Sequence, residues 1–205
     1  MVFHSAFEYG YLWLPLIGFT IGLLASMTGS GGGFFFLPAL VLLFGVPAHI
    51  AVTTSLAATL PICIAGSYGH YRNGNTDVHT ALVFIIAGIL GAVAGAGLTR
   101  IVSVSQLKTG FGIYAILIAI PIFINSRKRK KAEAGEKHVT QRHDFKSKVK
   151  GSVYGLLAGV ITGTFGTSGA APVLAGLFSL RMPVKLVVGT SILIVLVNTV
   201  SALGA

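Results

Sequence analysis

The sequence predicts an all-α fold, a polytopic transmembrane helical bundle with two inverted repeats and interrupted helices, and three observations carry that prediction. The 205 residues are 54% hydrophobic and only 10% charged, with a mean hydropathy of +0.85, far too apolar for an ordinary soluble domain. The apolar residues gather into runs of helical length bounded by polar or turn-forming residues. Finally, Thr28-Gly29-Ser30-Gly31-Gly32-Gly33 returns as Phe165-Gly166-Thr167-Ser168-Gly169-Ala170. A shift of 137 positions (166 − 29) lays Gly18, Gly22, Gly29 and Gly32 on Gly155, Gly159, Gly166 and Gly169. A one-residue deletion later, Thr54-Ser55 falls on Thr190-Ser191.

In chain order the runs fall at 11–27, 34–45, 49–68, 80–99, 107–124, 150–166, 171–180 and 184–203. The first follows a tail with Glu8 and no Lys or Arg, the wrong charge for a secretory leader, so it is read as a retained helix. A crossing takes about 20 residues, so 34–45 and 171–180 are too short. Each follows a glycine-rich break and reads as the second half of an interrupted helix. No run alternates polar and apolar residues as the wall of a β-barrel does. Residues 80–124 close the first half with two ordinary helices; Gly88, Gly91, Gly95 and Gly97 suit close helix packing, and Pro121 bends the second helix or marks its exit.

Ten of the fifteen Lys and Arg lie between Arg127 and Lys150. The net charge of +10 is therefore one loop and not a nucleic-acid-binding surface. The division expected is a first helical repeat over 1–125, a basic cytoplasmic linker over 126–149 and an incomplete second repeat over 150–205. The linker reads as a solvated strap that also meets anionic headgroups of the lipid bilayer, or as a surface for a soluble partner. Placing it inside and counting back puts the N-terminus outside, Arg72 inside and Arg100 and Lys108 outside, so the two repeats enter the membrane from opposite faces. If Ala205 corresponds to Gly69, nothing in this chain matches residues 70–124. The expectation is either a truncated second repeat or a homo-oligomer in which another copy covers the exposed face.

The five acidic residues, Glu8, Asp77, Glu133, Glu136 and Asp144, all lie outside the apolar runs. That argues against a proton or sodium site built on intramembrane carboxylates and against a hydrolase with paired carboxylates. One cysteine and scattered histidines give no metal-ligand spacing, neither glycine run continues into a P-loop, and no cofactor or catalytic residue is expected. Cys63 reads as packing, and His49, His70 and His79 as interfacial residues.

The glycine breaks offer a different chemistry. Backbone N–H groups between half-helices form an anion-binding cavity, with the positive end of each following half-helix aimed into it. Irregular backbone at membrane depth needs protein or water to receive its polar groups. Ser30, Thr28, Thr167 and Ser168 add hydroxyls; the plainer alternative is that the glycines only pack. Thr54, Ser55, Thr190 and Ser191 either complete one central site from both sides or bond back to a preceding turn. Asn198, deep in the last run, donates to a substrate or to a neighbouring helix.

The block from Gly22 to Leu60, GLLASMTGSGGGFFFLPALVLLFGVPAHIAVTTSLAATL, resembles the sulfite exporter TauE/SafE family of membrane permeases. The block from Gly155 to Asn198 resembles that family's second repeat. The resemblance implies a multi-pass cell-membrane transporter, not an enzyme, that moves sulfite, sulfonates or related small organic anions by alternating access. It assigns Gly29, Gly31, Gly32 and Gly33 with Pro38, Thr54 and Ser55 to the first motif, and Gly166, Ser168, Gly169, Thr190 and Ser191 to the second. Two departures stand out: Ala170 replaces the glycine at Gly33, and the family continues with further helices after the second Thr-Ser pair. The other readings are a truncated or accessory membrane protein without transport of its own, or a passive anion channel.

Overall fold

The computed structural model describes residues 13–129 and 145–205, in which every regular element is helical. The order is α1 (Leu14–Thr28), α2 (Gly33–Pro38), α3 (Ala48–Arg72), α4 (Val78–Ile101), α5 (Val104–Arg129), α6 (Phe145–Phe165), α7 (Ala170–Ser179) and α8 (Val184–Leu203). Among the described residues three helices, at Ala48–Arg72, Val78–Thr99 and Val184–Leu203, are long and apolar enough to cross a membrane. The tail before Trp13, with Glu8, and residues 130–144, which hold most of the expected linker, lie outside the described residues.

Local chemistry accounts for the element ends. Asp77 caps α4 by accepting from the Thr80 N–H at 3.2 Å and the Thr80 hydroxyl at 2.6 Å. Before α5, Ser103 and Gln106 exchange side-chain-to-backbone bonds as a capping box. Pro38 brings no N–H to the turn after α2, and the chain continues through a π-helical segment, Ala39–Leu43. Pro121, by contrast, does not end its helix, since α5 runs on to Arg129.

Two seams hold the bundle. Along α4 and α6 the backbones touch through glycine. A Cβ on Gly155 would strike the Phe84 carbonyl, one on Gly159 the Gly88 carbonyl and one on Gly163 the Ala92 carbonyl; from the other side Gly91 and Gly95 lie on Leu156 and Val160. Residue numbers rise together along both helices, so α4 and α6 run parallel. Small residues permit this approach, which is what drives association where water is absent. Gly97, expected to join in, has nothing within 4 Å of its Cβ position.

The second seam joins α3 to α8. His70 lies beside Gly189 and Gly66 beside Ile192; Cys63 shares a core cluster with Val195, and Leu56 shares one with Ala202. Numbers fall along one helix as they rise along the other, so α3 and α8 run antiparallel. Fully buried Phe84, Val173, Leu177 and Ile194 belong to a further cluster that joins α4, α7 and α8. By contrast α1 buries only Ala25, and Leu107 is the buried anchor of α5 in the cluster around α3.

Candidate functional site

The two glycine breaks meet near the middle of the bundle. A Cβ on Gly33 would lie 2.7 Å from the Ser168 amide nitrogen and 3.1 Å from the Gly166 carbonyl oxygen, so no side chain fits between them. The backbone repeats as the sequence does. Gly29 and Gly166 follow α1 and α6 with φ of 73° and 62°, and Gly32 and Gly169 precede α2 and α7 with φ of 89° and 53°. These left-handed conformations favour glycine. They turn the chain sharply enough that the first turns of both half-helices point at the junction.

Each break is also held by a serine from the opposite repeat. The Ser55 hydroxyl on α3 donates to the Gly166 carbonyl at 2.9 Å, with the Gly33 carbonyl at 3.3 Å. The Ser191 hydroxyl on α8 donates to the Gly29 carbonyl at 2.9 Å and lies 2.8 Å from that of Val188. The packing beneath follows the same exchange, since Gly29 rests on Val188 and Gly166 on Val52. Under the 137- and 136-residue shifts these are corresponding contacts with the repeats interchanged. A third cross-link, from the Ser168 hydroxyl to the Ser30 carbonyl, ties the breaks directly.

Counting donors and acceptors gives the site its chemical character. Hydroxyls cap the carbonyls of Gly29, Ser30 and Gly166, with the Gly33 carbonyl 3.3 Å from the same Ser55 hydroxyl, while the Gly32 carbonyl receives the Phe35 and Phe36 N–H groups. Among the described residues no acceptor meets the N–H groups of Gly31, Gly32, Gly33 and Phe34 in the first break, or of Thr167, Ser168, Ala170 and Ala171 in the second. The junction is therefore rich in free donors. Two helix N-termini, each worth roughly half a positive charge, lie close together there, and no carboxylate among the described residues answers them: Asp77 is at the cap of α4. Thr167, Ser168, Ser55 and Ser191 are all at most 1% exposed. The described residues hold no cluster of His, Cys, Asp and Glu fit for a metal ion.

The paired threonines are placed differently from the serines. Thr190 is fully buried, but its hydroxyl accepts the Asp77 N–H at 2.9 Å and so fastens the 73–77 loop to α8. Thr54 is exposed. Ser30 lies at the junction, where its hydroxyl accepts from Thr28 at 3.0 Å. Asn198 is fully buried against Gly88 of α4, and neither amide atom has a partner among the described residues.

Sequence reasoning missed an aromatic wall. Phe34 directly follows the first break and Phe165 directly precedes the second. Phe111 of α5 lies between them, with centroids 6.1 Å and 6.2 Å away. Tyr114 stacks on Phe165 at 5.9 Å, and the buried Thr167 hydroxyl has no hydrogen-bond partner among the described residues. The only signal in the sequence is the flanking of each break by phenylalanine; nothing there brings α5 to them.

Comparison with known proteins bears on this site. A family model described as "Sulfite exporter TauE/SafE" matches residues 14–205. The "Probable membrane transporter protein YdhB" of Bacillus subtilis is 31% identical over 186 residues, 88% of this chain and 72% of that protein. A "Probable membrane transporter protein" of Xylella fastidiosa is 30% identical over 88% of this chain and 66% of its own length. "Probable membrane transporter protein MJ0441" of Methanocaldococcus jannaschii is 28% identical over 99% and 75%. The chain thus spans two thirds to three quarters of these relatives. No solved structure matches.

Proposed function

We propose that this chain, which belongs to the sulfite exporter TauE/SafE family of multi-pass cell-membrane transporters, binds a small oxyanion between its two glycine breaks and carries it across the bilayer. The observation that supports this most is the separation of donors from acceptors at the junction. Serines occupy the carbonyls and leave two sets of N–H groups unpaired at the facing starts of α2 and α7. Buried N–H groups without partners cost about 1–3 kcal/mol each, and an anion at two helix N-termini removes that cost.

The residues proposed to face the anion are Ser30, Gly31, Gly32 and Gly33 with Thr167, Ser168 and Gly169. Gly29, Gly166, Ser55 and Ser191 hold the two breaks in shape, and Thr190 positions the loop before α4. Sulfite and sulfonates suit such a ring of neutral donors, and the family's description favours a sulfur oxyanion. The antiparallel course of the repeat mates α3 and α8 supports the inverted arrangement, and with it alternating access about the junction.

The test is uptake of labelled sulfite or taurine into proteoliposomes holding the full chain. Saturable flux that Gly33→Ala removes supports the reading. Flux unaffected by Gly33→Ala places the path elsewhere.

A further inference from the structure

We infer that a cleft between α1 and α3 is the cytoplasmic vestibule through which a small oxyanion reaches the glycine breaks. This inference rests on the proposed transport of an anion at the junction. The cleft holds about 450 Å³ and is lined from Ile62 to Asn75 along α3 and its exit loop, and by Gly22 and Ser26 on α1.

Its position supplies the first argument. The inner end lies at Ile62, which packs against Gly22 and adjoins the Cys63 whose sulfur approaches a Cβ position on Gly31 to 2.9 Å; Ser26 lies one helical turn further along α1, on the way to the first break. The outer end is His70 and Asn75, two turns further along α3, or about 12 Å. That end belongs to the basic face. Because α4 and α6 run parallel and α3 leads into α4 through the 73–77 loop, the mouth of the cleft lies on the face where α6 begins, near Lys148 and Lys150. By the positive-inside rule that face is cytoplasmic.

Its chemistry supplies the second. The Ser26 hydroxyl, the His70 ring and the Asn75 amide line the cleft and make no hydrogen bond among the described residues, whereas the Asn73 amide is held by the Gly69 carbonyl at 2.8 Å. No carboxylate lines it. Gly69, with nothing within 4 Å of its Cβ position, and Gly66 leave space for a hydrated anion to pass. Toward the opposite face the junction is covered by Leu37, Val52, Leu56 and Leu107 and by the aromatic wall. The structure therefore opens toward the basic face.

Single cysteines in a Cys63→Ala background test this in membrane vesicles of both orientations. Ser26→Cys and Gly69→Cys are expected to react with a membrane-impermeant maleimide at least tenfold faster in inside-out vesicles, with millimolar sulfite slowing the reaction and labelling suppressing sulfite flux. Gly97→Cys, on the far end of α4, is expected to show no protection by sulfite. Equal reaction from both faces, or reaction that sulfite does not slow, overturns the vestibule. Protection is read without transport, so it decides the point even where flux is absent. Should Gly33→Ala stop flux while labelled Gly69→Cys transports normally, the vestibule fails and the junction stands.

Discussion

The Ser55 hydroxyl lies 2.9 Å from the carbonyl oxygen of Gly166, 111 residues further along the chain, and is fully buried there. Removing it leaves the carbonyl at the end of α6 without a partner and without water. Ser55→Ala is predicted to cost about 1–3 kcal/mol, read as a lower Tm in detergent. Ser191→Ala should cost a similar amount, because it removes the corresponding bond to Gly29. If both variants melt with the parent protein, the serines do not hold the breaks.

Gly33 separates close approach from backbone conformation, since it lacks the positive φ of its neighbours Gly31 and Gly32. A methyl group there is predicted to push against the Ser168 amide and reduce sulfite flux at least tenfold while the chain still inserts. Gly97→Ala, in open space, should transport normally and gain up to about 1 kcal/mol from helix propensity. Equal flux in the two variants would show that the junction tolerates a side chain and does not bind substrate.

Tyr114 tests the aromatic wall. Tyr114→Phe keeps the ring stacked on Phe165 and removes only the hydroxyl. The prediction is a KM for sulfite raised several-fold with an unchanged Tm. A change in Tm with no change in KM would assign the hydroxyl to packing alone.

Asn198 invites the opposite expectation. Burying an amide without hydrogen bonds costs about 1–3 kcal/mol on mutational scales, and Leu has nearly the same branched shape. Asn198→Leu is predicted to raise the Tm, whereas Gly88→Ala, which closes the notch that the amide fills, should lower it. A lower Tm for Asn198→Leu would mean that the amide has a partner such as bound water.

Much of this architecture was legible in the residues. Hydropathy marks the helices because lipid demands long apolar spans, and the glycine breaks stand out because nothing else interrupts such runs. Their pairing at Gly29 with Gly166 and Gly32 with Gly169 reappears as matched left-handed turns. The difference between Thr54 and Thr190 was not legible. Both sit in the same short motif, yet one is exposed and the other holds Asp77, since the distinction lies in a loop from elsewhere in the chain. Gly155 and Gly159 carried two signals at once: they mark the repeat, and they also form the α4–α6 seam, which a repeat alone does not predict. Nor could periodicity place Tyr114, because the apolar residues of α5 favour no one face of the helix.

The seam between α4 and α6 behaves like a toothed rack. Its notches on the α6 side recur every four residues, about 6 Å along the helix, and each seats a carbonyl of α4 where a Cβ would stand. Intermediate positions would force those carbonyls onto the side chains between the glycines, so the pair stays engaged or jumps a whole tooth. Any gradual motion that opens the junction must then belong to more loosely seated helices such as α1 and α5, and a covalent bridge between α4 and α6 is predicted to leave turnover intact.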